Sequence, residues 1–379
     1  MRGRIRIHRE PTPPEVRRLV RASLQWFRRN ARDLPWRRTH DPYAIWVSEI
    51  MLQQTQVKTV IPYWERWMRD LPTLESLARA RWPKVLKLWE GLGYYTRARN
   101  LHEAAKFIVG QRGGRFPTAF DEVLALPGVG CYTAGAICSI AYNQPKPVLD
   151  GNVTRVFTRL FGIRRDPKNR MTRELLWSLA DRLVRAAAKE PARGRRNCAD
   201  LNQALMELGA VACTPRHPRC PDCPFKRHCA AFRDSHQDSA TPQEKRAQPI
   251  PKHVVAFVVE RNGRFLVRQR PAKVVNGQLW EFPNTEIGVG SDTRQNAMRE
   301  LLGWRGQKVE LFLRLKHSIT RYRITLDVFR LDAGQRSLHL GSGSRWCSPT
   351  QLQWLAFSSA HRRIVDRLQN AAKLRPAAA

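Results

Sequence analysis

The sequence predicts an all-α domain followed by a smaller α+β domain. Apolar residues recur at helical spacing through most of the chain up to a cluster of four cysteines. Cys213, Cys220, Cys223 and Cys229 form that cluster, in the spacing C-x6-C-x2-C-x5-C within seventeen residues. Beyond them the pattern turns to short β-branched runs around Asn262-Gly263, a hairpin signal. A chain of 379 residues has room for two such domains. The expected boundaries are a first domain at 1–233, a connector at 234–251 and a second domain at 252–379. The connector is polar, has three prolines and shows no apolar period.

Charge narrows the partner. Lys and Arg number 67 against 32 Asp and Glu, a formal net charge of +35. An imbalance of that size calls for a polyanion, with nucleic acid as the leading choice. An anionic membrane surface competes with it, but no run approaches the roughly 18 apolar residues of a spanning helix. The basic start, Met1 to Arg9, has no apolar stretch behind it, so it does not read as a secretory signal. A cytoplasmic, nucleoid-associated setting is expected, where clustered cysteines hold metal more often than they form disulfides. Four thiolates fit tetrahedral zinc or an iron–sulfur cube, and a lone C-x2-C pair favours the cube over a zinc ribbon. Cys131, Cys138, Cys198 and Cys347 are scattered and read as packing residues.

In chain order, Leu24 to Phe27 and Leu34 to Arg38 open the first domain. Asp41-Pro42 reads as an N-cap with proline at the first helical position, starting a helix that includes Ile45, Trp46, Ile50, Met51 and Leu52. Gln53 to Gln56 are expected to continue it. Glu49 lies within this apolar run, either as a paired structural acid or as an acid whose pKa is raised so that it donates a proton. Gly91 to Asn100 mixes glycines, Tyr94-Tyr95 and arginines, as base stacking with phosphate contact requires, although paired aromatics also build cores. Helical patterns over Ala119–Leu126 and Thr133–Ala141 meet at Pro127-Gly128-Val129-Gly130. Such a turn lets backbone approach a phosphate at a helix N-terminus, and its plain alternative is an ordinary linker. Asp150-Gly151-Asn152 then begins a helix through Val153, Val156 and Leu160, where Asp150 either caps the helix or faces a nucleotide sugar. Arg164 to Arg196 reads as largely helical, and Leu201 to Val211 as a short helix leading into the cysteines. In the second domain, strands are expected at 254–259, 264–268, 309–315 and 322–331, with a closing helix at 359–368.

In register, several of these pieces resemble the adenine DNA glycosylases of the MutY family over nearly the whole chain. They are Leu34-Pro35-Trp36, Trp46 to Val57, Gly91 to Asn100, the Pro-Gly turn, Asp150 to Val153, Asn202 to Ala210 and the cysteine run. The resemblance implies a helix-hairpin-helix glycosylase domain with a 4Fe-4S cluster on Cys213, Cys220, Cys223 and Cys229, joined to a Nudix-like domain. It implies a monomeric enzyme that removes adenine mispaired with 8-oxoguanine or guanine in double-stranded DNA.

By the same resemblance Glu49 protonates the flipped adenine at N7, while Asp150, ionised, stabilises the oxocarbenium ion or forms a transient adduct, with Asn152 orienting Asp150 or the water. The two carboxyls are expected to shift in opposite directions. Tyr132 stands where relatives similar to endonuclease III carry a lysine that cuts the strand through a Schiff base, so excision without efficient strand cleavage is expected. Trp36, Arg37 and Leu52 would border the adenine, Gln54 and Tyr94 would wedge into the stack, Thr55 would touch the oxidised guanine, and Gly128 and Gly130 would meet phosphate. In the second domain, Arg299-Glu300-Leu301-Leu302-Gly303-Trp304 lacks the paired glutamates of a Nudix hydrolase, which implies recognition without hydrolysis. The family's Phe-Ser-His loop aligns with Ile319-Thr320-Arg321, so Ser318, Thr320 and Arg321 are expected at the oxidised base without the aromatic. Three rivals remain: a mismatch thymine glycosylase, a non-catalytic iron–sulfur protein that binds damaged DNA, and a zinc-holding DNA-binding protein.

Overall fold

The computed structural model describes residues 10–192, 194–234, 248–288, 293–305, 309–319, 321–338 and 341–373. The chain divides into two compact units, Met1–Arg79 with Arg99–Glu244, and Ala80–Ala98 with Lys245–Ala379. The expected first domain, 1–233, thus loses 80–98 to the second unit, and the expected connector loses Ile250 and Pro251 to a strand.

The helices up to the cysteine run are α1 Pro13–Asn30, α2 Pro42–Leu52, α3 Val57–Asp70, α4 Leu74–Arg79, α5 Trp82–Trp89, α6 Thr96–Arg112, α7 Phe120–Leu124, α8 Cys131–Tyr142, α9 Gly151–Leu160, α10 Arg170–Ala188 and α11 Asn197–Val211, with a last turn α12, Ala230–Arg233, beyond it. In the first unit α11 is the central member, touching α1, α8, α9 and α10. Its Leu201, Leu205 and Leu208 share a core with Leu19 of α1, Ala136 of α8, Phe157 of α9 and Leu183 of α10. α2 begins as its sequence says, with both Asp41 carboxylate oxygens accepting from Tyr43 N and Ala44 N. It ends at Leu52, however. Gln54 takes a left-handed φ of 56°, which breaks the helix, so Gln53 to Gln56 form a loop rather than a continuation. Among the described residues, no helix is long and apolar enough to cross a membrane.

The second unit is built on a mixed sheet: β1 Ile250–Arg261, β2 Arg264–Gln269, β3 Trp280–Glu281, β4 Asn284–Ile287, β5 Glu310–Ile319, β6 Tyr322–Asp332 and β7 Ser344–Cys347. The order is β3-β2-β1-β6-β5, with β4 paired to β1 and β7 to β2. Strand β1 runs parallel to β6 and antiparallel to β2. The Asn262-Gly263 turn joins β1 to β2 in a two-residue hairpin, both residues at positive φ (48° and 70°). Val255 to Val259 are all buried, because β1 is covered on both faces. Val255, Phe257 and Val259 pack with Ala297, Met298 and Leu302 of α13 (Thr293–Leu302). Ala256 and Val258 pack with Leu352 of α14 (Pro349–Trp354) and with Ile364, Val365 and Leu368 of α15 (Ser359–Lys373). Helices therefore cover both faces of the sheet.

Candidate active site

Helices α2, α8, α9 and α11 surround one cavity of about 640 Å3 in the first unit. Glu49, Tyr132, Asp150 and Asn152 line it together with Trp36, Arg37, Leu52, Gln54 and Thr55. The two carboxyls that sequence singled out thus open onto the same space. Tyr94 belongs to the other unit and is 52% exposed, so it does not line this cavity.

Glu49 sits two turns into α2, a helix whose residues from Tyr43 to Met51 are all buried. Burial is the main cause pushing its carboxyl up to about 7, and the negative charge of Asp150 adds to it. The Tyr132 hydroxyl, donating to Glu49 Oε2 at 2.7 Å, opposes the rise without cancelling it. That hydroxyl also meets Met206 Sδ at 3.2 Å, and burial raises its own pKa well above the phenol range. Near neutral pH the site holds a carboxylic acid that is partly protonated beside a neutral phenol.

Asp150 is the N-cap of α9, the first of the two roles that sequence offered for it. Its Oδ1 accepts from Val153 N at 2.7 Å and its Oδ2 from Asn152 Nδ2 at 3.0 Å, while the residue lines the cavity. Contrary to the expected opposite shift, burial raises the Asp150 pKa as well. The bonds from Val153 and Asn152 and the charge of Arg155 oppose that rise. These are donors that Glu49 lacks, and each favours the ionised form of Asp150.

Arg155 anchors this corner. Its Nη2 donates to Asn152 Oδ1 and to Gly209 O, both at 2.7 Å, and its Nε to Cys213 O at 2.8 Å. α11 approaches α9 so closely here that a Cβ on Gly209 would stand 2.6 Å from that of Asn152. Glycine at that position in the Asn202–Ala210 stretch is therefore required by packing.

Glu207, Arg32, Gln203 and Met206 also line the cavity and had no role assigned from sequence. Glu207 is buried, which by itself raises its pKa, but hydrogen bonds and charge from Arg32 and Arg37 bring it down to about 2. Arg32 reaches it through Nε at 2.7 Å and Nη2 at 2.8 Å, and Arg37 through Nη2 at 2.9 Å. Arg37 lines the cavity, with its guanidinium committed to Glu207, Gln203 and the Arg32 carbonyl. The one available signal was Glu207's place within the Asn202–Ala210 stretch. Trp36 is buried on a short 3-10 turn, edge-on to Trp64 with ring centroids 6.1 Å apart.

The Pro-Gly turn lies between α7 and α8. Gly128 has φ 75°, and a Cβ there would come within 2.6 Å of Asn100. Gly130 is the N-cap of α8, is exposed, and has nothing within 4 Å of where a Cβ would be. The N-terminus of α8 is therefore open at this point. In the second unit, Ser318 and Arg321 are exposed at the β5–β6 turn, with the Arg321 guanidinium over the Tyr322 ring. Thr320 lies outside the described residues.

Cys213, Cys220, Cys223 and Cys229 line a second cavity, beside Arg159 of α9 and Phe232. Burial pushes Cys223 up to about 12, and the charges of Cys213, Cys229 and Cys220 push in the same direction. Arg159 is buried, with Nη1 3.4 Å from Cys213 Sγ, and its Nε has no partner among the described residues. Among those residues no three His, Cys, Asp or Glu side chains come together closely enough for a single metal ion. Four thiols around one space, beside a buried guanidinium N–H, fit an anionic thiolate-bound group.

Comparison with known proteins agrees with this arrangement. A family profile described as "HhH-GPD superfamily base excision DNA repair protein" matches residues 47–182, and one described as "NUDIX domain" matches 254–367. The human "Adenine DNA glycosylase" is 36% identical, with 90% of this chain and 72% of that protein covered. The Arabidopsis thaliana protein of the same name is 34% identical over 95% of this chain and 66% of its own length. A solved "thermostable thymine-DNA glycosylase" superposes at a TM-score of 0.51 and 30% identity, covering 58% of this chain and 98% of its own. With a carboxyl pair facing one cavity, a helix-hairpin-helix unit and a Nudix-like unit, the chain belongs to the adenine DNA glycosylase family of base excision repair enzymes, which hydrolyse the N-glycosidic bond.

Proposed function

We propose that the chain excises adenine mispaired with 8-oxoguanine or guanine, with Glu49 as the acid and Asp150 as the carboxylate that meets the developing sugar cation. The observation that carries this is the shared cavity, with Glu49 held near neutrality and Asp150 supplied with donors that keep it ionised. A base inside a duplex is out of reach, so the nucleotide is extruded first. In the cavity, the Glu49 carboxyl gives its proton to N7 as the C–N bond breaks, and the electron pair leaves with the base. Water adds to the sugar from the side of Asp150, or after a transient adduct with it, its surplus proton passing to a carboxylate of the pair, and the departing base is neutral. Tyr132 holds Glu49 and cannot form a Schiff base, which supports excision without strand scission.

Cys213, Cys220, Cys223 and Cys229 would hold the 4Fe-4S cluster, with Arg159 donating towards it. When bound, the cluster fastens the loop between α11 and α12, a structural service. Ser318 and Arg321 would face the base opposite the adenine.

The deciding assay uses duplexes with adenine opposite 8-oxoguanine, adenine opposite guanine, or thymine opposite guanine, with and without alkali. Adenine opposite 8-oxoguanine should be released fastest, with strand breaks only after alkali. Faster thymine release would favour the mismatch thymine reading, which the likeness to the thymine-DNA glycosylase keeps open for the first unit.

Two further outcomes are expected. Arg155→Met should slow single-turnover excision roughly a hundredfold at unchanged DNA affinity, because Asn152 and with it Asp150 lose their anchor. Equal loss of affinity would mean that Arg155 contacts DNA instead. Raising salt from 50 to 200 mM should weaken nonspecific DNA binding by orders of magnitude, given the formal charge of +35. A flat response in a filter-binding titration would remove the basic surface from the interface.

A further inference from the structure

The segment Ala80–Ala98 belongs to the C-terminal unit, and several of its bonds to that unit meet at one carboxylate. Glu90 is the C-cap of α5, where an anion meets the unfavourable negative end of the helix dipole. Its Oε1 accepts from Phe357 N and from Arg362 Nε, both at 2.8 Å, and its Oε2 from Lys87 Nζ at 2.6 Å. Arg362 and Lys87 also donate to Leu355 O, at 2.5 and 3.2 Å, and at the start of α5 Trp82 Nε1 donates to Gln278 Oε1 at 2.7 Å. Phe357 is wholly buried and bridges to Trp280 of β3, so the partner of Glu90 is the body of the unit rather than a loose loop.

Directly after Glu90 the backbone makes a tight, strained loop. Gly91, Gly93 and Tyr94 all have positive φ (99°, 71° and 47°), and the last is a conformation that a tyrosine adopts at a cost. The loop is pinned from behind: Arg97 Nη2 donates to Leu92 O and Gly93 O at 3.1 Å, Trp89 Nε1 to Gly93 O at 3.1 Å, and Gly91 N to Tyr95 Oη at 3.2 Å. The Arg97 guanidinium lies over the Trp89 ring at 5.2 Å and the Tyr94 ring at 5.6 Å. What this scaffold presents to solvent is the half-exposed ring of Tyr94.

We propose that Glu90 is a positioning residue that fastens the finger loop Gly91–Tyr95 into the C-terminal unit, so that the grip of this unit on DNA sets where Tyr94 enters the stack. The second half rests on the reading of Tyr94 as a wedge; the first does not. Lesion recognition by the Nudix-like unit and extrusion of the adenine then share one mechanical part.

The test uses the full chain. In Glu90→Gln, amide hydrogen exchange at 91–95 should quicken about tenfold or more, while β1 and β6 keep their protection, which separates a freed loop from an unfolded unit. Arg362→Gln should do the same, and the double variant should be no worse than either single one, since both break the same contact. With 2-aminopurine in place of adenine opposite 8-oxoguanine, the fluorescence rise on extrusion should slow about tenfold in Glu90→Gln. Wild-type exchange at 91–95, or effects of the two substitutions that simply add, would overturn the fastening. Should Tyr94→Ala extrude the base as fast as the wild type, the wedge reading falls and the coupling with it, whereas the exchange result still decides the fastening.

Discussion

Replacing Glu49 by Gln should slow single-turnover base excision by about two to four orders of magnitude, the contribution of a positioned general acid. The amide keeps the volume and still accepts from the Tyr132 hydroxyl, so the cavity survives without its proton donor. The same substitution should stabilise the fold at alkaline pH. A buried carboxyl whose pKa is raised in the folded chain binds its proton more tightly there than in the unfolded chain. Its full stabilising contribution is therefore present below the unfolded value and is lost as pH rises through the folded one. For Glu49 that window runs from 4.5 to about 7. At about 1.4 kcal/mol per tenfold change in proton affinity, ionising it costs on the order of 3 kcal/mol. Thermal unfolding at pH 8 should show Glu49→Gln melting above the wild type, with the gap closing by pH 4. An equal gap at both pH values would mean that Glu49 is not buried with a raised pKa. In the wild type, excision should fall about tenfold per pH unit above about 7, and the two carboxyls should titrate as a coupled pair on the acid side.

Asp150→Asn should cost about a thousandfold or more in excision while leaving the helix that it starts intact. A neutral amide oxygen still accepts from Val153 N, so the cap is kept, but the negative charge facing the developing sugar cation is gone. Asp150→Ala removes both and should lose a further 1 kcal/mol or so of stability. Comparing the two by single-turnover kinetics and thermal melting separates charge from cap. If Asp150→Asn retained wild-type excision, the carboxylate would be a helix cap alone.

These assignments were legible to different degrees, and range along the chain explains most of the difference. Asp41-Pro42, the Asn262-Gly263 turn and Asp150-Gly151-Asn152 act on neighbours two or three residues away, so their chemistry is written where it is used. Glu49 was harder, because α2 is buried all round and its periodicity does not say which face looks into a cavity. Glu207 had only its place in the Asn202–Ala210 stretch to mark it. Its ionisation depends on Arg32 and Arg37, 175 and 170 residues away in sequence, and only the folded unit brings them together. Nothing in Trp82 to Glu90 marks it as part of a unit whose strands begin at Ile250. The end of α2 failed for a reason of its own, since the left-handed backbone at Gln54 is not a habit of glutamine.

The bonds from Glu90 to Phe357 and Arg362 span 267 and 272 residues. A ribosome therefore delivers the carboxylate long before either partner exists, and through most of synthesis α5 waits beside an acid that Lys87, one turn back, can meet. Nascent chains released early, for instance by a stop codon shortly before Phe357, would keep the catalytic helices and the cysteine loop yet leave this seam open. Such products should be prone to proteolytic nicking between α5 and α6, far in sequence from the point where translation stopped.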